Sequence, residues 1–162
     1  MRNITLLLTL TIFSPIVYGQ VNDGKIRLVV LKRNNRDSIY KFKNRKDSTD
    51  TYLHYPGVVK SKAGVECKIM TSCWRWGIDN HRASNCILVY NAHNRYLGLY
   101  GVTTTDDLPD KVSKNRLIFS NHPASDCDPH ISTTLSFDNG IPIKFFRKCK
   151  GDYGDIYTFK SK

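Results

Sequence analysis

The sequence predicts an α+β domain that is dominated by antiparallel β-sheet and carries one or two short helices and about two disulfide bonds. Short runs of branched and aromatic residues alternate with polar turn residues, which is the pattern of strands. Helix signals are scarce, and there are five cysteines. No repeat, low-complexity tract or linker interrupts residues 20–162, so we expect a single secreted domain there.

The first nineteen residues have the pattern of a signal peptide. Arg2 gives the leader a positive start, and an uncharged apolar run follows from Ile4 to Phe13. A run of that length is too short to cross a bilayer, which needs about twenty apolar residues. We therefore expect cleavage after Gly19 and a secreted, extracellular chain that begins at Gln20.

Three pairs of strand-like segments are each separated by a short polar stretch, and we interpret them as hairpins. Asn139-Gly140 readily supplies the positive φ angles of a tight turn in the third pair. Pro142 cannot donate a ladder hydrogen bond, so its strand is expected at a sheet edge. The pairs are Ile26–Leu31 with Ile39–Phe42, Ile87–Tyr90 with Tyr96–Val102, and Ile131–Phe137 with Ile141–Phe146.

Two further segments are predicted from their polar residues. Thr105-Asp106-Asp107 is expected to cap a short helix that reaches Lys114, with Pro109 in its first turn. The stretch from Lys43 to Asp50 has no apolar residue to bury, and we interpret it as a polar loop.

The cysteines are Cys67, Cys73, Cys86, Cys127 and Cys149. All of them follow the leader, and the oxidising export route favours disulfides. An odd number leaves one thiol over, and their spacing does not choose the pairing. Two bridges would each stabilise the fold by about 2–4 kcal/mol. The remaining cysteine is either buried or joined to another molecule, so a covalent dimer is one alternative.

A zinc site is an alternative use of the same cysteines. Cys127 and His130 have a Cys-x-x-His spacing that zinc could use together with Cys67 and Cys73. Export favours disulfides for the same cysteines, so we expect no metal. The sequence also has no phosphate-binding glycine loop and no Gly-x-Ser-x-Gly elbow. We therefore expect no cofactor.

Positive charge is the second strong signal of the sequence. It has 25 basic and 14 acidic residues and a formal net charge of +11, which becomes +10 when Arg2 leaves with the leader. Such a surface either serves solubility or attracts an anionic partner: RNA, an acidic polysaccharide or phospholipid head groups. The basic residues concentrate in two clusters: Lys32, Arg33, Arg36, Lys41, Lys43, Arg45 and Lys46 in the first, and Lys144, Arg147, Lys148 and Lys150 in the second.

Three residues would suit RNA cleavage. His54 and His130 offer a base and an acid, and Arg116 offers a cation for the phosphate, with Glu66 as an alternative base. The segment that Arg116 opens resembles a strand of small microbial ribonucleases. A small secreted ribonuclease is therefore the alternative from the enzyme class.

Cys73-Trp74-Arg75-Trp76 brings both tryptophans of the chain beside an arginine and a cysteine. In a structural interpretation, one tryptophan packs in the core while the other, or Arg75, reaches the surface. In a functional one the segment is a binding anchor, because Trp and Arg are enriched in interface hot spots. The candidate binding residues are Trp74, Arg75, Trp76, Lys41, Lys43, Arg45 and Lys46.

With this segment, its leader and its cysteines, the chain resembles small secreted fungal effectors, in particular the Leptosphaeria avirulence and suppressing (LARS) family. That family is marked by a Trp-Arg-apolar-Arg motif, which Trp74-Arg75-Trp76 matches in part, with Gly77 at the fourth position. The resemblance implies a fold of antiparallel sheet plus helices. It also implies a non-enzymatic protein of a plant-pathogenic fungus that interferes with host defence by binding a host protein. Uptake into a host cell after export is an open alternative, and so is a toxin or cytokine-like ligand for anionic cell surfaces.

Overall fold

Two antiparallel sheets and one α-helix make up residues 23–44, 48–77 and 82–162, which are the residues that this computed structural model describes. The predicted signal peptide, residues 1–19, lies outside them. The helix is α1 (Asp23–Arg33), and a 3₁₀ turn covers Thr105–Asp107. The strands are β1 (Ile39–Asn44), β2 (Thr49–Lys60), β3 (Glu66–Trp76), β4 (Arg82–Asn91), β5 (Tyr96–Val102), β6 (Lys111–Ser113), β7 (Arg116–Ser120), β8 (Ser132–Ser136), β9 (Lys144–Lys150) and β10 (Tyr153–Ser161). The predicted fold class is confirmed.

The larger sheet has seven strands in the order β1-β2-β3-β4-β5-β10-β9, and the smaller has three in the order β6-β7-β8. The smaller sheet is attached to β2 by a reciprocal pair of hydrogen bonds. The Lys60 backbone N–H donates to the Asn115 side-chain oxygen at 2.6 Å, and the Asn115 amide donates back to the Lys60 carbonyl at 2.7 Å. The Lys62 N–H also donates to the Asp138 carbonyl at 2.8 Å.

The main hydrophobic core lies between the two sheets. Its centre is aromatic, with the Phe145 ring 5.3 Å from the rings of both Tyr100 and Phe119. Ile69 and Ile87 pack into the same cluster and are fully buried. Each such side chain contributes about 1.5–3 kcal/mol when it leaves water.

A second core forms where α1 covers the opposite face of the larger sheet. Val30 and Leu31 of α1 pack there with Leu53 and Met70. The prediction that Ile26–Leu31 is a strand paired with Ile39–Phe42 is wrong, since these residues are helical and β1 pairs with β2. The spacing of apolar residues in a short branched run fits both a strand and a helix, so it does not decide between them. The helix is favoured by an Asp23–Arg27 ion pair of 2.9 Å, one turn apart, and by basic residues in its last turn.

The hairpin predicted from Ile87–Tyr90 and Tyr96–Val102 is confirmed as β4 and β5. The Asn91 side-chain oxygen accepts hydrogen bonds from the backbone N–H groups of His93 and Arg95. These two bonds hold the turn between the strands.

The third predicted hairpin is wrong in its pairing, although its two strands exist. β8 pairs with β7, and β9 pairs with β10. The turn at Asn139-Gly140 does form, and Gly140 has a φ of 96°. Beyond it, the Tyr100 hydroxyl donates to the Pro142 carbonyl and the Phe159 N–H to the Ile143 carbonyl, so the chain joins the larger sheet. There β9 is an edge strand, as Pro142 predicted.

The predicted helix from Thr105 to Lys114 is much shorter than expected. Thr104 caps a single 3₁₀ turn, in which its hydroxyl and N–H donate to Asp107, and strand β6 starts at Lys111. The polar loop predicted for Lys43–Asp50 is also shorter, because β1 reaches Asn44 and β2 starts at Thr49. In the described ranges, no helix is both long and apolar enough to span a membrane.

Candidate binding site

Cross-strand register brings several of the predicted binding residues together at one end of the larger sheet. Lys41 lies opposite Tyr52, and Tyr52 lies opposite Cys73 on β3. Arg75 is two residues further along β3, so its side chain emerges on the same face as Tyr52. Residues that are far apart in the sequence therefore become neighbours through strand pairing.

Two cations approach the ring of Tyr52. The ammonium nitrogen of Lys41 lies 4.8 Å from the ring centre, and the guanidinium carbon of Arg75 lies 5.0 Å from it. Both distances are within the range in which an aromatic ring attracts a cation. We call the residues Lys41, Tyr52 and Arg75 the cation–aromatic surface.

The charges of this surface are only partly compensated. Lys41 forms an ion pair of 3.1 Å with Asp50, which also accepts a hydrogen bond from the Tyr52 hydroxyl at 3.3 Å. The interaction with Tyr52, and then that with Asp50, raises the pKa of Lys41, and Lys41 in turn lowers the pKa of Asp50. Arg75 is exposed and forms no ion pair with any described carboxylate. Its charge is therefore available to a partner.

The two tryptophans stack on each other on the face of β3 opposite to that of Arg75, because alternate residues of a strand share one face. The ring centres of Trp74 and Trp76 are 4.3 Å apart and their planes differ by 27°. Both side chains are half-buried, and neither belongs to the two hydrophobic cores. The structural interpretation, in which one tryptophan packs in the core, is therefore wrong. The buried residue of the segment is Cys73.

A shallow cavity of about 260 Å³ opens between these side chains. Other predicted binding residues lie beside it or beyond the described part of the chain. Lys43 is exposed on β1 opposite Asp50. Arg45 and Lys46 fall outside the described residues. The cavity is lined by Lys41, Ser48, Asp50, Tyr52, Arg75, Trp76 and Gly77.

The residues considered for RNA cleavage are dispersed. β7 pairs Arg116 with Ser136 at one end and Ser120 with Ser132 at the other, and His130 comes just before β8. Arg116 is thus at one end of the smaller sheet and His130 lies beyond the other end, with about 14 Å of strand between the two ends at about 3.4 Å per residue. The structure therefore does not place these two side chains where both could contact the same phosphate group.

His54 is half-buried on β2 and lines a neighbouring cavity of about 300 Å³ with Asp110 and Cys73. This cavity shares Tyr52 and Arg75 with the first. Burial lowers the pKa of its imidazole, and the charges of Asp37 and Asp110 oppose this shift. Glu66, the alternative base, forms an ion pair of 3.2 Å with Lys60.

One disulfide joins Cys127 to Cys149. Because Cys127 is bonded, it is not a zinc ligand with His130. Cys67, Cys73 and Cys86 are free thiols. Cys67 packs in the core between the sheets, and Cys86 packs against the core beneath α1. Burial raises the pKa values of both the Cys67 and the Cys86 thiol.

Arg147 does not belong to the second basic surface cluster, since it is only 4% exposed. Its guanidinium donates to the carbonyls of Ser120 at 2.9 Å, Asp106 at 3.2 Å and Lys148 at 3.2 Å. Burial lowers its pKa, and its Nε has no hydrogen-bond partner among the described residues. Arg147 therefore connects the 3₁₀ turn, β7 and β9.

Searches of protein-family models, curated proteins and solved structures find no match to this chain. The site is therefore interpreted from its own residues. Sequence reasoning missed Tyr52, which holds the two cations of the cation–aromatic surface. The signal was the alternation of Asp50, Tyr52 and His54, which predicts that the three side chains share one strand face.

Proposed function

We propose that the chain is a secreted, non-enzymatic, effector-like binding protein that recognises an anionic group of its partner through the cation–aromatic surface. The observation that supports this is the pair of cations, Lys41 and Arg75, on the Tyr52 ring. Its resemblance to fungal effectors favours a host protein as the partner and interference with host defence as the outcome.

Arg75 is the recognition group in this proposal. A planar guanidinium offers two parallel donors to a carboxylate or phosphate, whereas an ammonium acts as a point charge. Lys41 is already paired with Asp50, so Arg75 carries more of the available charge. The Tyr52 ring supplies an aromatic face beside it, and the β-strands hold these groups in place before the partner binds.

The intrinsic fluorescence of the protein tests the proposal, because Trp76 lines the cavity of this surface. We expect saturable changes when the exported chain is titrated with an acidic peptide, a heparin fragment or an RNA oligonucleotide, with weaker binding at higher salt. Arg75→Gln is expected to lower the affinity about tenfold, which corresponds to about 1.4 kcal/mol. The matched control is Arg95→Gln in the exposed turn between β4 and β5.

Two results would overturn the proposal. One is the absence of a fluorescence change with every anionic probe, and the other is an equal loss of affinity in the Arg75 and Arg95 variants. The RNA is also analysed for chain cleavage after the titration. We expect it to remain intact, and cleavage that His54→Ala or His130→Ala abolishes would support the ribonuclease instead.

Export has its own test. The protein recovered from the medium of an expressing fungus is expected to begin at Gln20 when its N-terminus is sequenced. Retention of the full chain inside the cell would contradict the secreted assignment.

A further inference from the structure

The outward face of the hairpin formed by β9 and β10 is not covered by any described element. Phe146 lies opposite Ile156, and these side chains are 43% and 63% exposed. The same face of the larger sheet is buried beneath α1 on its other strands, but the core under α1 includes no residue of β9 or β10. The helix thus leaves this end of the sheet open.

One more apolar side chain extends this exposed area. Tyr153, at the start of β10 and opposite Lys150, is 77% exposed. We call Phe146, Tyr153 and Ile156 the hairpin patch. The ring of Phe146 lies over Gly154, since a Cβ added at Gly154 would be 2.7 Å from the tip of that ring. The glycine leaves the space that the ring occupies, which keeps Phe146 on the sheet surface.

Lysines border the hairpin patch. Lys144 and Lys148 stand on either side of Phe146 in the same outward row of β9, because alternate residues of a strand share one face. Lys150 and Lys160 are exposed nearby. None of the four forms an ion pair with a described carboxylate.

Acidic side chains do not interrupt this face. Asp155 lies opposite the inward-facing Arg147, and Asp152 lies in the turn at the tip of the hairpin. The outward positions of β10 opposite β9 are Gly154, Ile156 and Thr158. The face therefore combines exposed apolar side chains with unpaired positive charge.

We propose that the hairpin patch is a docking surface for an anionic phospholipid bilayer. Charge complementarity points to it, because lysines attract the negative lipid surface while apolar and aromatic side chains enter the headgroup boundary. A single-stranded nucleic acid fits less well, since bases stack on aromatic rings and Ile156, which is more exposed than Phe146, offers none. This surface is on the β9 edge of the larger sheet, whereas the cation–aromatic surface is near the β1 edge. The two proposals are independent.

Vesicle co-sedimentation of the exported chain tests the inference. We expect the protein to sediment with vesicles of equal parts phosphatidylcholine and phosphatidylserine, and to remain in solution with phosphatidylcholine alone. The double variant Phe146→Ser/Ile156→Ser is expected to bind about tenfold more weakly. Its matched control is Ile39→Ser on the β1 edge, which removes an isoleucine that is 72% exposed and is expected to bind like the wild type.

The charge contribution has a matched pair of variants. Lys144→Gln/Lys148→Gln is expected to weaken sedimentation, and Lys62→Gln/Lys114→Gln, with the same loss of charge on two exposed loops, is expected to leave it unchanged. Circular dichroism of each variant verifies that it is folded.

Four outcomes would overturn the inference. The first two are equal binding to both kinds of vesicle and an equal loss of vesicle binding in the Phe146/Ile156 and Ile39 variants. The third is a protein that does not bind vesicles but binds RNA, with an affinity that falls in the Phe146/Ile156 variant. The fourth is a protein dimer that dissociates in the Phe146/Ile156 variant. Sedimentation of the Arg75→Gln protein with the vesicles would support the independence of the two surfaces. Its failure to sediment with them would contradict that independence.

Discussion

The guanidinium carbon of Arg75 lies 5.0 Å from the centre of the Tyr52 ring, and the two residues are on adjacent strands. The ring therefore holds Arg75 in place as well as contacting it. Tyr52→Leu keeps an apolar side chain but removes the π-system, and we expect it to lower the free energy of unfolding by about 1 kcal/mol. Tyr52→Phe keeps the ring and is the control. Equal stability of the two variants in urea unfolding would contradict this prediction.

Arg147 connects three parts of the fold by donating to their carbonyls. Arg147→Met retains most of the volume but removes a buried donor from these three carbonyl groups. We expect it to lower the free energy of unfolding by about 2–4 kcal/mol in urea titrations. The neighbouring Lys148→Met removes the same charge and serves as the control. A loss of less than about 1 kcal/mol in the Arg147 variant would argue against this connecting role.

The Cys127–Cys149 disulfide closes a loop with a sequence separation of 22. Replacing both cysteines by serine is expected to lower the free energy of unfolding by about 3 kcal/mol, because the unfolded chain gains the freedom that the loop removes. Thiol titration of the denatured, unreduced protein is expected to find the three free cysteines. Finding one thiol would mean that a second bridge forms, and this would contradict the arrangement described above.

His54 makes stability depend on pH. Its pKa is lowered from the ordinary 6.5 by burial, so near and below pH 6.5 the unfolded chain binds more protons than the folded one. The stability that the protein has with a neutral His54 is therefore fully present above pH 6.5, and it is lost as the pH falls from there through the lowered pKa. Urea unfolding between pH 7.5 and 5 is expected to show a smaller loss of stability for His54→Gln than for the wild type. His93→Gln, in the exposed turn before β5, controls for removal of an imidazole. An unchanged pH dependence in His54→Gln would refute the prediction.

Local signals in the sequence predicted much of the fold. The β4–β5 hairpin was predicted because its strands are branched and aromatic and its turn is polar. The pairing of β8 and β9 was predicted wrongly because the Asn139-Gly140 turn fits a hairpin locally, whereas hydrogen bonds from Tyr100 and Phe159 take the following residues to the other sheet. The strand predicted at Ile26–Leu31 is part of α1, where packing on the sheet decides between two conformations that the sequence allows.

The residues of the candidate site were also predicted only in part. Lys41, Arg75 and Trp76 were predicted from charge and residue type, and they line one cavity. Tyr52 was not predicted, because its position between the two cations depends on the register of β1, β2 and β3. Arg147 was predicted as a surface charge because it stands among lysines, but strand alternation turns it inward.

The three thiols are distributed so that the folded protein keeps them apart. Cys67 and Cys73 are six positions apart along β3, roughly 20 Å at about 3.4 Å per residue, and Cys86 points to the opposite face of the sheet on β4. A disulfide needs Cα atoms within about 7 Å and Cβ atoms that point toward each other. Any bridge among these three must therefore be made while the chain is unfolded, during export or after damage. Once folding is complete, the sheet keeps these three thiols from pairing with one another, so a bridge among them identifies a molecule that was oxidised before it folded.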